Sequence, residues 1–302
     1  SLEFMRVSPP RPADTVFVGG GTPGVLSAAQ LAELCGIVRK AAGDGIPEWS
    51  VELAPSEVTE EKLRVLKSCG VTRISLGVQT FDPVLLVELG RNHHPDKALR
   101  AYELIRSVGF PSVNIDLIFG APGQSLDAWE HDIHQVVELQ PDHISTYCLT
   151  FEEGTPFEKM LMSGQIVEPD PDVAAEMYEL AEQKLRVSGY NGYEISNWSR
   201  LGFESRHNLT YWYNLPYLGV GPDAHSHMAQ HRFHSVLSPT EYMLRVRLWN
   251  VSKFPNGGLP NQAFLEKIPH VIEVEHISPS LEIAETVIMA LRLRDGIDRK
   301  GF

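Results

Sequence analysis

Three consecutive glycines are the first residues in the chain whose type and spacing suit ligand binding. Gly19, Gly20 and Gly21 follow the strand-like run Thr15–Val18 and precede Thr22-Pro23. Glycine has no Cβ, so its backbone adopts positive φ values and approaches a ligand closely. Backbone N–H groups in such a loop can hold an anionic group, and the adjacent carbonyls can accept from an amine. The stretch predicts a ligand-binding loop; the alternative is a tight strand-to-helix turn without a ligand.

A second group of chemically capable residues lies in the C-terminal third. Five of the twelve histidines fall between residues 207 and 234, among several aromatic residues. An imidazole can ligate a metal ion, and aromatic rings offer flat apolar faces for contact with a ligand. His225 and His227 alternate, so on a strand they would share one face. The alternatives are a satisfied core histidine at His207, surface positions for His231 and His234, and a zinc site, which the lack of nearby cysteines disfavours.

Polar residues also stand near the ends of five strand-like runs between Thr15 and Leu149. These runs alternate with helix-like runs at a spacing of roughly thirty residues, which predicts a parallel sheet closed or partly closed into a barrel. The carboxyl ends of such strands lie on one face, where barrels carry their sites. The polar residues near those ends are Thr22, Glu52, Gln79, Asp116 and Tyr147. Together they predict a pocket on that face.

Composition narrows the class of protein. The 302 residues carry a formal charge of −13, which disfavours nucleic acid and anionic membranes as partners. No apolar run approaches the ~20 residues of a membrane span, and no secretory signal is present, so we expect a cytoplasmic protein. The three cysteines, Cys35, Cys69 and Cys148, include no C-x-x-C pair and are expected to be buried free thiols in a reducing compartment.

We expect three segments along the chain. Residues 1–13 are interpreted as a tag and a Pro-rich lead-in, and residues 14–160 as the barrel. Residues 161–302 are expected to form a mixed, mainly helical region with helices over Val173–Ser188, Ser238–Asn250 and Leu281–Leu293.

Several motifs, in this order, resemble the radical S-adenosylmethionine family, in the group of oxygen-independent coproporphyrinogen III oxidases and HemW-type heme chaperones. The resemblance runs from about Asp14 to the end of the chain. The motifs are Gly19–Pro23, Glu52 before Pro55, Ser75–Phe81, Gly90–His93, Asn114–Gln124 and His207-Asn208-x-x-Tyr211-Trp212.

This resemblance implies an α/β fold, a partial (β/α) barrel of radical SAM type, with S-adenosylmethionine lying across the strand ends. It implies that the loop Gly19, Gly20, Gly21 and Thr22 meets the methionine amino group. It also implies that Glu52, Gln79, Arg91 and Asp116 bind the rest of the nucleoside and the carboxylate. Arg91 can hold a carboxylate through two N–H groups, and Asp116 can accept from ribose hydroxyls. The alternatives are a solvated loop charge for Arg91 and a buried salt bridge for Glu52, while His93 and His94 are expected to cap or line their loop.

The chain departs from the family at the iron–sulfur cluster. The family binds a [4Fe–4S] cluster through a CxxxCxxC loop before the glycine loop, and no such motif occurs here. We therefore expect the first barrel strand and its cluster loop to be missing, and the C-terminal region to stop short at Gly301-Phe302. No cluster is expected in this chain, and whether the whole protein is an enzyme stays open.

The His207-Asn208-x-x-Tyr211-Trp212 motif resembles the heme-chaperone branch more than the oxidase branch. It implies a protein that binds heme through His207, Asn208, Tyr211 and Trp212, with His207 as the metal ligand, and delivers it to heme-accepting proteins. The alternatives are an oxygen-independent coproporphyrinogen III oxidase-like enzyme and an inactive structural remnant. An open sheet edge would also make a homodimer possible.

Overall fold

A computed structural model describes residues 13–249 and 261–297. Of these, one compact unit takes residues 15–35 and 47–204, here called the seven-stranded unit. The other takes 13–14, 36–46, 205–249 and 261–297, here called the C-terminal unit. The predicted lead-in over residues 1–12 and the predicted stop at Gly301-Phe302 lie outside the described residues. The segment boundaries after residues 13 and 160 stay predictions.

Seven strands form one sheet in the seven-stranded unit, as far as the described residues extend. They are β1 (Thr15–Val18), β2 (Glu48–Leu53), β3 (Arg73–Gln79), β4 (Ser112–Phe119), β5 (His143–Cys148), β6 (Asn191–Gly192) and β7 (Asn197–Ser199). Their order is β1-β2-β3-β4-β5-β7-β6, and β1 to β5 are parallel neighbours. The predicted parallel α/β sheet is confirmed. The antiparallel strands β6 and β7 were not predicted, because runs of two and three residues carry no readable period.

Helices connect these strands, and most begin at a side-chain cap. They are α1 (Ala28–Ala42), α2 (Glu60–Ser68), α3 (Pro83–Glu88), α4 (Pro95–Val108), α5 (Leu126–Leu139), α6 (Pro156–Met162) and α7 (Pro171–Val187). Thr59 accepts from the Lys62 N–H before α2, and Ser125 accepts from the Ala128 N–H before α5. Each cap satisfies a backbone donor that the first helical turn leaves unpaired. Gly109 ends α4 at a φ of 82°, which glycine adopts without steric cost.

The core of this unit lies between the sheet and its helices. Leu76 and Ile115 are fully buried on β3 and β4, and Trp129 is fully buried on α5. The Trp129 indole N–H donates to the Met177 carbonyl on α7 at 2.8 Å, so α5 and α7 are held together by a polar contact as well as by packing.

The C-terminal unit is mixed and mainly helical, as predicted. Its elements are α8 (Arg206–Trp212), β8 (His225–Met228), β9 (His231–Ser235), α9 (Pro239–Leu248), α10 (Gln262–Leu265), β10 (Val271–His276) and α11 (Pro279–Ala290). The three strands form an antiparallel sheet in the order β10-β9-β8. Ala229 and Gln230 join β8 to β9 with φ values of 51° and 59°, the conformation of a tight hairpin turn. The end of the helix predicted over Ser238–Asn250 falls outside the described residues at Asn250. None of the helices described is long and apolar enough to cross a membrane.

A buried carboxylate on α5 fixes the chain just beyond β3. Asp132 is fully buried; it accepts from the Thr80 hydroxyl at 2.7 Å and from the Phe81 N–H at 2.6 Å. Burial raises the pKa of Asp132 to about 7, although both hydrogen bonds oppose the shift. Asp132 therefore anchors the residues that directly follow Gln79.

Asp132 predicts a pH dependence of stability. Between about pH 4 and pH 7 the folded protein holds a proton on Asp132 that the unfolded chain has released, so the free energy of unfolding should fall as pH rises through this window. Urea unfolding at several pH values should show a smaller slope for Asp132→Asn, which keeps the shape of the side chain. Asp132→Ala should lose about 2–4 kcal/mol near pH 4, because two buried donors lose their acceptor, and it should also show the smaller slope. An unchanged slope in Asp132→Asn would contradict the assignment.

Candidate functional site

The interior of the parallel sheet carries a ladder of polar side chains. Ser75, Asn114 and His143 are directly paired across β3, β4 and β5, and Asp116 is paired with Ser145. Residues two apart on a strand share a face, so Asn114 and Asp116 lie side by side. The ladder replaces apolar packing with hydrogen bonds in the middle of the sheet.

Asp116 is held at the centre of this ladder. Its carboxylate accepts from the Ser75 hydroxyl at 2.9 Å and from the Asn114 amide at 2.7 Å. Burial raises the pKa of Asp116, and the hydrogen bonds from Ser75, Ser145 and Asn114 and the charge of Arg73 oppose that shift. The carboxylate is thus fixed in position, and its hydrogen bonds offset only part of the cost of burying its charge.

His143 continues the same network. Its Nδ1 lies 2.6 Å from Asn114 Oδ1, and its Nε2 lies 2.9 Å from the Tyr193 hydroxyl. Burial lowers the pKa of His143 well below its usual value, so the ring is neutral. Because Asn114 Oδ1 only accepts, the proton is assigned to Nδ1, and the Tyr193 O–H then donates to Nε2. His143 is a positioning residue that holds Asn114.

The glycine loop meets a second carboxylate, Glu52 on β2. The Gly20 N–H donates to Glu52 Oε2 at 3.3 Å, with Gly20 at a φ of 98°. A Cβ at Gly19 would lie 2.6 Å from Glu52 Oε2 and 2.7 Å from Phe17 Cε1, so only glycine leaves room for this contact. Burial, and then the charge of Asp116, raises the pKa of Glu52 to about 7, while the Gly20 hydrogen bond lowers it.

Of the other residues predicted for this pocket, some lie near the two carboxylates and others are exposed. Gln79 ends β3 at a φ of 73°, and Gly77 leaves space for its side chain, since a Cβ there would lie 2.7 Å from Gln79 Nε2. Desolvation and the charges of Asp116 and Glu52 raise the pKa of the Tyr147 hydroxyl. Thr22 and Arg91 are exposed, Thr22 before a short 3-10 turn and Arg91 in the loop between α3 and α4. The structure therefore brings together the glycine loop, Glu52, Asp116 and Tyr147.

The two histidines beside Arg91 have structural roles, as predicted. His93 is buried, and its Nε2 lies 3.2 Å from the Val78 carbonyl. His94 caps α4 by accepting from the Asp96 N–H.

The second predicted site, in the C-terminal unit, is built on α8. His207 and Tyr211 lie one turn apart on this helix, and His207 Nε2 lies 2.9 Å from the Tyr211 hydroxyl. The Asn208 N–H donates to Ser205, which caps the helix. The Trp212 ring lies under the Arg292 guanidinium, whose carbon is 4.4 Å from the ring centroid. The helix thus presents His207 and Tyr211 as a hydrogen-bonded pair, with Trp212 stacked separately.

A small cavity adjoins this pair. It has a volume of about 170 Å³ and is lined by Tyr211, Asn214, Tyr217, His227, Arg232, Glu285, Ile288 and Met289. Arg232 and Glu285 form an ion pair at 2.6 Å within it. Pockets that enclose drug-sized ligands measure about 300–1,000 Å³, so this cavity is too small to enclose a tetrapyrrole.

Known proteins resemble this chain over nearly its whole length. The family model described as the Radical SAM superfamily matches residues 3–136. The heme chaperone HemW of Bacillus subtilis is 34% identical over 290 residues, which cover 95% of this chain and 72% of that protein. The heme chaperone HemW of Mycobacterium tuberculosis is 39% identical over 286 residues, covering 94% and 68%. The chain belongs to the HemW family.

A solved structure supports the fold. The coproporphyrinogen III oxidase HemN of Escherichia coli, described as a radical SAM enzyme, superposes with a TM-score of 0.79 at 21% identity. The match covers 96% of this chain and 66% of that one. The α/β fold of radical SAM type, predicted for this HemW-family chain from its motifs, is confirmed.

Sequence reasoning missed the residues that support Asp116, namely Ser75, Asn114, His143 and Tyr193. Their signal was present as polar residues two apart within otherwise apolar strands: Arg73 and Ser75, Asn114 and Asp116, His143 and Ser145. Such a period-2 polar pattern indicates a polar interior face. Tyr193 had no signal, because only the antiparallel return of the chain brings it to His143.

The close approach of Gly19 to Glu52 predicts an effect of a single added methyl group. Gly19→Ala should displace the Glu52 carboxylate and break its bond to Gly20, lowering the free energy of unfolding by about 1–2 kcal/mol. Gly21→Ala is the matched control, because a Cβ there meets nothing within 4 Å, and it should stay within about 0.5 kcal/mol of the wild type. Denaturant unfolding measures both variants. Equal stabilities would contradict the close packing at Gly19.

Proposed function

We propose that this chain binds heme and delivers it to heme-accepting proteins, and that its seven-stranded unit binds S-adenosylmethionine. The observation that carries the proposal is the similarity, over 94–95% of the chain, to proteins named heme chaperones. Heme-accepting proteins and a homodimer stay predictions, and light scattering measures the latter.

The charge of the strand-end pocket supports S-adenosylmethionine as its ligand. This molecule carries a sulfonium and an ammonium group, both positive. Burial raises the pKa of both Glu52 and Asp116, and the charge of Asp116 raises the pKa of Glu52 further, so a cation beside the two carboxylates would favour their ionised forms. The backbone carbonyls of Gly19 to Gly21 would accept from the ammonium, and Gln79 would contact the nucleoside.

The cysteines of this chain do not fit a [4Fe–4S] cluster. Such clusters need several thiolates on one loop or in one cavity. Cys35 is buried in α1, as predicted. Cys69 after α2 is only partly buried and Cys148 on β5 is exposed, so the prediction of a buried thiol was wrong for these two. The proposal for this chain therefore includes binding of S-adenosylmethionine and no step through a cluster.

Heme binding would centre on α8. His207 offers an imidazole, which ligates iron well, and Tyr211 and Trp212 offer aromatic faces. To ligate iron through Nε2, His207 must give up its contact with the Tyr211 hydroxyl. Since the adjoining cavity is small, the porphyrin would lie against the surface of the unit, an arrangement that favours release to an acceptor.

His207 predicts the outcome of a hemin titration. The wild-type chain should give a saturable Soret shift with hemin and no comparable shift with iron-free protoporphyrin. His207→Ala should weaken hemin binding by about tenfold or more, because an iron–nitrogen bond is lost. His276→Ala is the matched control, an exposed histidine on β10 of the same unit, and should bind as the wild type does.

Two results would count against this assignment. Unchanged hemin affinity in His207→Ala would remove His207 as the ligand. Equal binding of both porphyrins would point to recognition of the tetrapyrrole itself, as an oxidase-like substrate pocket would show.

Glu52 predicts the pH dependence of S-adenosylmethionine binding. With a pKa of about 7, Glu52 is mainly protonated at pH 6, and a cationic ligand favours its carboxylate form. Affinity should therefore rise with pH between about 5 and 7 and level off above, with proton release on binding at low pH. Calorimetry in two buffers of different ionisation enthalpy measures both effects.

Glu52→Gln should bind more weakly at pH 8 and lose the pH dependence. The control is Glu60→Gln, which removes an exposed carboxylate on α2 that pairs with Arg64. No heat with the wild type at any pH would refute the pocket without affecting the heme proposal, which rests on the other unit.

A further inference from the structure

A second group of potential ligands lies on the small antiparallel sheet, apart from the α8 motif. Asp223, His225 and His234 each offer one ligand atom, and these atoms lie within 4.8 Å of one another. His225 and His234 are directly paired across β8 and β9, and their rings stack in parallel with centroids 4.6 Å apart. Two imidazoles and a carboxylate are the ligand set of many zinc and other transition-metal sites.

The segment that carries Asp223 is fixed by backbone hydrogen bonds. The Asp223 N–H donates to the Val236 carbonyl at 3.1 Å, and the Ser235 N–H donates to the Ala224 carbonyl at 3.1 Å. Asp223 itself has a φ of 57°, an uncommon value for a residue other than glycine. A Cβ at Gly219 would lie 2.2 Å from the His225 carbonyl, so glycine is required beside this segment. The three side chains therefore start from a backbone that is already in place.

Glu273 on β10 contacts the imidazole ring of His234. Glu273 Oε2 lies 3.2 Å from His234 Nε2, and because a carboxylate only accepts, Nε2 is the protonated nitrogen. A carboxylate that receives the N–H of a metal-bound histidine is a recurrent feature of metal sites, where it orients the ring. Glu273 reaches this position at an irregularity in the β9–β10 pairing, with a φ of 51°.

The other nitrogen, His234 Nδ1, is buried and has no hydrogen-bond partner among the described residues. It lies 3.6 Å from Asp223 Oδ1, too far for a hydrogen bond. A divalent cation placed between the two atoms would be ligated by both, since ligand atoms of a tetrahedral zinc lie about 3.3 Å apart.

We propose that Asp223, His225 and His234 bind a divalent first-row transition metal ion of the Zn²⁺ class, with Glu273 as the positioning residue for His234. His225 is exposed, so its ring can turn to direct a nitrogen at the ion without disturbing the core. Three protein ligands leave a coordination position for water or a further donor. The bound ion would tie the Asp223 loop to β9 and, through Glu273, to β10.

The test uses the purified chain stripped of metal with a chelator. Zn²⁺ is titrated in competition with a chromophoric chelator, and Co²⁺ is titrated by absorption. The wild type should bind one Zn²⁺ through these residues, and bound Co²⁺ should give d–d bands without thiolate-to-cobalt charge transfer, which separates this site from the cysteines. His234→Ala and Asp223→Asn should lose the binding, and Glu273→Gln should weaken it by about 10- to 100-fold.

His276→Ala and His207→Ala are the controls. His276 lies on the same sheet outside the cluster, and His207 belongs to the α8 motif, so both variants should bind Zn²⁺ as the wild type does. Thermal unfolding in chelator establishes that each variant is folded, and added Zn²⁺ should raise the melting temperature of the wild type but not of Asp223→Asn. Equal affinities across all variants, no stoichiometric binding, or a thiolate band with Co²⁺ would each overturn the proposal.

Discussion

Desolvated carboxylates inside a parallel sheet are the interaction on which the rest of the seven-stranded unit depends. Asp116 is surrounded by Ser75 and Asn114, and Asn114 is in turn held by His143. A carboxylate removed from water must be compensated, or its cost is paid in stability. The hydrogen bonds compensate part of that cost. The pKa values of Asp116 and Glu52 are still raised, which shows that part of the cost of desolvation remains. In the proposed function, the positive charge of S-adenosylmethionine would compensate the remaining part.

The backbone around these carboxylates is adapted to them. Gly19, after β1, leaves room for Glu52 of the neighbouring strand β2, and Gly77 leaves room for the side chain of Gln79 on its own strand, β3. Asp132 fixes the chain beyond Gln79 from the helix side. Contacts with the sheet and with α5 therefore hold the loops at this face in place. A ligand that binds there would lose less conformational entropy in ordering them.

In the C-terminal unit, strand register and helical spacing bring polar and aromatic side chains into pairs. Its three-stranded sheet brings polar and aromatic side chains into pairs by register: His225 with His234, and Tyr217 with His227. The α8 motif brings His207 and Tyr211 together by helical spacing instead. Two histidine clusters of different geometry therefore occur in one small unit, one on a helix and one on a sheet, and the two functions proposed for them can be tested separately.

Sequence alone determined the parallel sheet, because five apolar strands alternating with capped helices leave few other arrangements. It also determined the glycine loop and the polar residues at the strand ends, since both depend on local residue type.

It did not determine β6, β7 or β10, whose runs are short or irregular, nor the partners of Asp116 and His143. Apart from the contact between Asn114 and Asp116 within β4, those contacts join residues 29 to 50 positions apart, and only strand register decides which of them meet. The same holds for the proposed metal site: its candidate ligands Asp223, His225 and His234 and the positioning residue Glu273 come from three strands and a loop, and no local pattern links Glu273 to His234. Local chemistry is written in the sequence, whereas the pairing of distant side chains is decided by the tertiary structure, because register is fixed only when the whole sheet is packed.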